Sequence, residues 1–381
     1  MKNDIIAKAN NILDFKQKPI VGFSPGRVNL IGEHLDYNGG YVLPCTLDIG
    51  TYGVAALRSD RWVCCYSANF PYKGTVKFNL DRLIYQKDDA WANYVKGIVK
   101  ELRPEYGFDL FVQGNIPPGA GLSSSASLEI LVGTMVNTLF NLHYSRLDIV
   151  KMAQKAENNF IGVQSGIMDQ FVIGMTCKKA AMLLNTNTLE YRFIDVKLKD
   201  YSLIIGNTNK SRALQDSKYN ERRNECRCGL KLLRKKYPIA NLCELSLNDL
   251  KDSNDIIADK LIYRRLRHVI SENERTLAAY NALKNGDLPY FGELLNQSHQ
   301  SLRNDYEVTG FELDTMVSLF QKYGSIGARM TGAGFGGCMI ALVPNQTKDK
   351  IAEKVKADYE KITKLVPELY KIQIEDGAKI L

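Results

Sequence analysis

The stretch GRVNLIGEHLDYNGG, Gly26 to Gly40, constrains the fold of this chain more than any other. Its branched apolar residues and glycines read as strand and turn. Yet Arg27, Glu33, His34 and Asp36 sit inside it. Ionisable groups gathered around a strand end are costly to bury unless they are paired or hydrogen-bonded. The fold has to supply something for them to face.

The chain of 381 residues, 45% of them hydrophobic, is long enough for two domains with real cores. Its net charge of +8 is spread along the sequence. The densest basic cluster, KLLRKKY (Lys231 to Tyr237), reads as the solvated face of a helix, which argues against a nucleic-acid partner. A mild basic excess also suits an enzyme with phosphorylated substrates. The eight cysteines form no CxxC and there are only four histidines, so zinc is not expected and the thiols read as reduced, in a cytoplasmic protein. The N-terminus lacks a signal-peptide apolar core, and no apolar run is long enough for a membrane span. No segment reads as an extra interface, so a monomer is expected.

Periodicity gives a short helix within 3–14, then strand, Ser-Pro-Gly turn and second strand across PIVGFSPGRVNLIG. Further strands follow to residue 67, then a helix at WANYVKGIVKELR and a strand at FDLFVQGNIP. A loop leads into the apolar helix ASLEILVGTMVNTLFNL, and DIVKMAQKAENNFIG reads as another helix. After Ala180 the pattern resets to three short strands, a largely helical stretch over 215–300, and mixed elements to the end. The expectation is an α+β fold in two domains, 1–180 and 181–381.

Three local patterns carry chemistry. PPGAGLSSSAS, Pro117 to Ser127, places glycines and serines between a strand and a helix start. Free N–H groups and the helix dipole make such a loop an anion site, and hydroxyls can bind phosphate or its Mg²⁺. It lacks the GK[ST] ending of a Walker A loop, and a plain serine cap on a buried helix remains open. AENNFIGVQSGIMDQF holds Glu157 at a helix end and Asp169 among apolar neighbours. Such a carboxylate is paired, functional, or simply in a helix's first turn. RMTGAGFGGCMIAL puts four glycines within Gly332–Gly337, which suits either a backbone closing tightly on a ligand or a glycine-rich hairpin.

Taken together, these stretches resemble a known family. PGRVNLIGEHLDYNGGYVLP is similar to the galactokinase signature, and PPGAGLSSSAS to the phosphate-binding motif of the GHMP small-molecule kinases. MTGAGFGGC resembles their third motif, usually MTGGGFGGC. WANYVKG, GIMDQF, SKYNERRNEC and SHQSLRNDYEVTGFELD are similar to galactokinase segments in the same order, so the resemblance spans nearly the whole chain.

The resemblance implies an N-terminal α+β domain, a ferredoxin-like C-terminal domain and a site in the cleft between them. It implies transfer of the γ-phosphate of ATP to the anomeric 1-OH of α-D-galactose, with Mg²⁺ as cofactor. Glu33, His34, Asp36, Gly166 and Tyr219 match sugar contacts. Polar groups are what can tell hexose epimers apart. Asp169 matches the proposed general base and Arg27 the cation beside it. Glu157 and Ser125, with Ser124 as the alternative, match the metal ligands. Gly119, Gly121, Leu122, Ser123, Ser124 and Ser125 would wrap the phosphates. The adenine is expected in a less polar pocket near residues 60–95, with Trp91 as a candidate contact. Two positions depart from the pattern: Leu35 stands where Thr is usual, and Ala333 where Gly is commoner. Leu35 leaves open a sugar-1-kinase for N-acetylgalactosamine or another sugar. A non-catalytic galactose and ATP sensor is the remaining alternative, although Arg27, Asp169, Glu157 and GLSSSAS are all present.

Overall fold

The computed structural model describes residues 2–117, 120–210 and 215–381. The first half contains α1 (Lys2–Asn10), β1 (Ile20–Asn29), β2 (Tyr41–Val42), β3 (Pro44–Leu57), β4 (Trp62–Ser67) and β5 (Val76–Asn79). It continues with α2 (Ala92–Leu102), β6 (Phe108–Gly114), α3 (Ser124–Leu139), α4 (Arg146–Ala156), α5 (Met168–Met175), β7 (Ala181–Asn185) and β8 (Tyr191–Ile194). The second half runs β9 (Tyr201–Asn207), α6 (Gln215–Leu233), α7 (Leu247–Lys251), α8 (Lys260–Asn285), α9 (Leu288–Ser301) and α10 (Phe311–Tyr323). It ends with β10 (Gly327–Met330), β11 (Cys338–Pro344), α11 (Lys348–Thr363), β12 (Glu368–Lys371) and β13 (Lys379–Ile380).

The first sheet has the order β13-β1-β3-β6-β4-β5, with β7 joining β3 and carrying β2 and β8. Helix α3 lies on β1 and β3 where Gly22 and Gly53 are cross-strand partners. A Cβ at Gly22 would stand 3.0 Å from Leu131 Cδ1, and one at Gly53 2.7 Å from Met135 Sδ. The missing side chains therefore let the helix settle onto the sheet, and its first turn comes to rest beside the end of β1.

The second sheet has the order β10-β11-β9-β12, antiparallel throughout. Helices intervene between β9 and β10, and α11 between β11 and β12. This βαββαβ arrangement is ferredoxin-like, as the α+β expectation had it. Its strand β10 ends against the end of β1: Arg329 donates to the carbonyls of Asn29 (3.1 Å) and Leu30 (3.0 Å), and the Thr331 hydroxyl to Asn29 (3.1 Å). The two sheets thus meet at the segment that carries Glu33, His34 and Asp36.

Two local expectations differ from the structure. PIVGFSPGRVNLIG is not two strands around a turn; β1 is continuous, with a register shift between Pro25 and Arg27 that absorbs the irregularity. The chain also changes sheets later than residue 180. Strands β7 and β8 pair with the first sheet, so the crossing falls between Ile194 and Tyr201. Among the described residues no helix is long and apolar enough to cross a membrane.

Candidate active site

A cavity of ≈ 280 Å³ opens where β1, the first turn of α3 and the loop after β10 converge. Its wall includes Arg27, Glu33, His34, Asp36, Gly121, the serines 123–125, Glu157, Gly166, Asp169, Tyr219 and Gly332. Apart from Leu122 and Gly119, the sequence-derived site residues are brought together here. Leu122 is buried beneath the loop, where its carbonyl accepts from the Arg27 N–H at 3.1 Å. Gly119 lies outside the described residues.

Arg27 and Asp169 form a bidentate pair, Nε to Oδ1 and Nη2 to Oδ2, both at 2.7 Å. Arg27 Nη1 also donates to the Gly121 carbonyl at 2.7 Å, tying the pair to the glycine-serine loop. Such a fork fixes both planes, which a single-point cation would not. Asp169 sits in the first turn of α5, as one alternative had it, yet its side chain reaches the cavity. Ser123 precedes α3 with φ +61° and makes no side-chain cap; its hydroxyl donates to Asp169. The serine-cap alternative is thereby set aside for Ser123. Residues 124 and 125 open the helix and line the cavity, and the first N–H groups of a helix have no partner within it.

Glu157 closes the other side. Its Oε1 accepts from Ser125 Oγ at 3.2 Å, and its Oε2 from Ser165 Oγ at 2.6 Å and Gln170 Nε2 at 2.7 Å. Burial raises its pKa, and the Asp169 charge adds to the shift. Gln170 also donates to Glu129 at 3.3 Å, a carboxyl that burial holds well above its ordinary range. Among the described residues no three His, Cys, Asp or Glu side chains converge as a metal cage. The Ser125–Glu157 pair offers two hard oxygens, which suits a Mg²⁺ that keeps waters and takes its other ligands from phosphates.

On the sugar-signature side, Glu33 is buried and ties the two sheets together. It accepts from Asn29 Nδ2 and from the Gly332 N–H at 2.8 Å, and it pairs with Arg329 at 3.4 Å. Burial pushes the Asp36 carboxyl up to about 7, with Asp169 and Glu33 adding like charge. A Cβ at position 166 would lie 1.9 Å from Asp36 Oδ2, so only glycine lets the chain pass this carboxylate. His34 borders the cavity, but its Nδ1 is engaged with the Tyr37 hydroxyl at 2.7 Å and its Nε2 is buried. Leu35 is fully buried in the hydrophobic core and does not line the cavity. In the third motif, Gly332, Gly334, Gly336 and Gly337 have positive φ while Ala333 does not, so the alanine is unstrained.

A second, more apolar cavity shares Ser124 and Ser125 with the first. Phe70, Trp91, Tyr94, Val112, Ile116 and Leu128 form its apolar wall. Trp91 Nε1 is buried there without a hydrogen-bond partner among the described residues. Sequence reading missed Ser165, Gln170 and Glu129. A glutamine inside the apolar run GIMDQF was the available signal for one of them.

Comparison with known proteins places this geometry in context. The galactokinase galactose-binding signature matches residues 13–57, the GHMP kinases N terminal domain 93–176, and the GHMP kinases C terminal model 279–361. A galactokinase of Clostridium acetobutylicum is 52% identical over 97% of this chain and 98% of its own length. One of Staphylococcus saprophyticus is 48% identical over the whole of both chains. A crystal structure of Lactococcus lactis galactokinase complexed with galactose superposes with a TM-score of 0.97 at 47% identity, covering 100% of both chains. The mevalonate kinase of Methanococcus jannaschii shares the fold at a TM-score of 0.64 and 18% identity.

Proposed function

The chain belongs to the GHMP kinases, and within them to the galactokinases, and we propose that the cavity beside Arg27 is where it carries out that activity. It is an ATP-dependent sugar kinase that phosphorylates galactose. The observation that most supports the site assignment is the Arg27–Asp169 fork, set between the α3 serines and the sugar signature.

In this reading Glu33, His34, Asp36, Gly166 and Tyr219 receive the hexose. The anomeric 1-OH lies toward Asp169 and attacks the γ-phosphorus. Asp169 accepts the hydroxyl proton, the new P–O bond forms, and the bond to the β-phosphate oxygen breaks to release ADP. Arg27 orients the base and offsets charge that spreads over the transferred phosphoryl oxygens. The α3 N–H groups and Gly121, Leu122 and the serines hold the phosphates; Gly119 belongs to the same loop. Ser125 and Glu157 would hold Mg²⁺, which supplies charge neutralisation on the β- and γ-phosphates when bound. The adenine occupies the apolar cavity, with Trp91 in its wall.

Galactose as the preferred sugar is supported by the burial of Leu35 away from the cavity, since the departure from Thr then only repacks the core. The test compares kcat/KM for galactose, N-acetylgalactosamine, glucose and L-arabinose by ADP release. Galactose is expected to be highest. A better result with another sugar overturns the substrate and leaves the sugar kinase class standing. The reading also holds the enzyme to be a cytoplasmic monomer of two domains, with the division at 180 moved to the sheet crossing between Ile194 and Tyr201. Light scattering at assay concentration checks the monomer.

A further inference from the structure

Behind the Ser125–Glu157 pair lies a cluster of polar side chains to which the reaction assigns no part. Glu157 heads a π turn, Glu157–Ile161, and its carbonyl accepts from the Gly162 and Val163 N–H groups at 3.0 and 3.2 Å. Gly162 has φ +91°, which glycine adopts freely. The widened turn and the glycine reverse the chain, so that Ser165, eight residues on, faces the Glu157 side chain. Such π turns cluster at functional sites. Gln170 arrives from α5, next to Asp169, and is fully buried. Glu129, also fully buried, arrives from α3, one turn past Ser125.

The two oxygens of Glu157 are unequally occupied. Oε2 accepts from Ser165 Oγ at 2.6 Å and from Gln170 Nε2 at 2.7 Å, both short bonds. A carboxylate oxygen offers about two acceptor sites, and on Oε2 both are taken. Among the described residues Oε1 accepts only from Ser125 Oγ, at 3.2 Å. The Ser165 hydroxyl has one proton to give; Glu157 is its nearer acceptor, with Asn158 Oδ1 at 3.3 Å.

The same contacts set the Gln170 amide. Its Nε2 lies between Glu157 Oε2 and Glu129 Oε2, the latter at 3.3 Å, and an amide nitrogen has a proton for each. Its own Oε1 has no partner among the described residues, so the two N–H bonds alone fix the orientation. Half a turn of the amide would set that oxygen against Glu157 Oε2. A hard cation that keeps several waters depends on the few protein oxygens it has, and a carboxylate free to rotate would offer it either oxygen or both. We propose that Ser165 and Gln170 are positioning residues for the metal site: by occupying Oε2 they turn Oε1, the oxygen beside Ser125 Oγ, toward the cation that accompanies the nucleotide. Glu129 braces the Gln170 amide from behind. The effect of all three passes through Glu157.

This inference rests on the reading of Ser125 and Glu157 as the metal pair, and the experiment separates the two. The dissociation constant of a non-hydrolysable ATP analogue is measured by calorimetry on the whole enzyme, once with Mg²⁺ and once with chelator. The ratio of the two constants reports how far the cation helps the nucleotide bind. A merely structural role would weaken both alike and leave the ratio in place. Gln170→Met keeps most of the volume and Ser165→Ala removes only the hydroxyl; each should cut the ratio about tenfold. Ser165→Thr keeps the hydroxyl and should stay near the parent. In a Glu157→Gln background neither Gln170→Met nor Ser165→Ala should cut the ratio further. Half-buried Ser165 carries the test by itself if Gln170→Met does not fold. An unchanged ratio in Ser165→Ala, or a further fall in the Glu157→Gln background, overturns the proposal. If Glu157→Gln alone keeps the parent ratio, the metal assignment fails and this proposal with it. A fall there, with none in the Ser165 and Gln170 variants, overturns this proposal alone.

Discussion

The two cavities that meet at the first turn of α3 have opposite linings. The one beside Arg27 is walled by carboxylates, an imidazole and a guanidinium, whereas the one beside Trp91 is mainly aromatic and aliphatic. Ser124 and Ser125 belong to both. The contrast locates selectivity and instability on the same side. In the polar cavity a misplaced hydroxyl leaves a buried group unpaired, at about 1–3 kcal/mol each. An apolar wall discriminates far more weakly between ligands that differ by one polar group. The same polar groups, crowded and desolvated without a ligand, oppose the fold that holds them.

The sharpest way to break this contrast is Asp169→Asn. It keeps the shape and removes the proton acceptor, so kcat should fall by about 10²–10⁴ while ATP still binds. Near-normal turnover would take Asp169 out of the mechanism. Glu157→Gln should raise the Mg²⁺ concentration needed for half-maximal rate by roughly tenfold or more with the fold intact. An unchanged Mg²⁺ titration would make Glu157 a structural carboxylate.

Asp36→Asn tests both halves of the claim about the polar side. The folded chain raises the Asp36 pKa from 3.8 to about 7, so it binds this proton more tightly than the unfolded chain. The resulting stability is fully present below about 4 and is lost as pH rises through 7. Asparagine is neutral throughout. The ligand-free variant should melt a few degrees above the parent at pH 8, with the gap narrowing as pH falls toward 4. Its galactose KM should rise about tenfold, since one charge-assisted contact is lost. Equal melting curves across this range would show that Asp36 is not strained.

On the apolar side, Trp91→Phe keeps most of the packing and removes Nε1. The ATP KM should rise a few-fold and the galactose KM should stay put; movement of the galactose KM would mean the cavities are not separate in function. The smallest effect on activity is expected from Leu35→Thr. A shortened side chain and a new hydroxyl in the core should cost about 1–3 kcal/mol of stability. The order of sugar preference should not change, and a new preference would place residue 35 in the pocket wall after all.

Much of this was legible in the chain itself, for identifiable reasons. Strong local signals, such as the glycine-serine run before α3 and the glycines of 332–337, announced tight backbone turns at functional positions. The helices α2 and α4 follow from apolar periodicity. What escaped depends on partners distant in sequence. No local pattern tells β7 and β8 to join the first sheet, because β7 pairs with β2 and β3, far upstream, and β8 joins only through β7. The unbroken β1 was hidden by Ser-Pro-Gly, which reads as a turn until the register shift accommodates it. The serine, glutamine and second glutamate around Glu157 come from three different elements, and Tyr37 and Tyr306 are ordinary tyrosines until the fold stacks them beside His34.

The pairing of β13 with β1 has a consequence for synthesis. Gly22 and Phe23 find their outer partners only at Ile380 and Lys379, and Val21 accepts from the Leu381 N–H at 2.8 Å. At roughly 5–20 residues per second, a ribosome leaves that strand edge open for tens of seconds after it emerges. An unpaired edge is a template for pairing with other chains. Until β13 has followed, β1 therefore keeps one edge of the first sheet open to pairing with other chains.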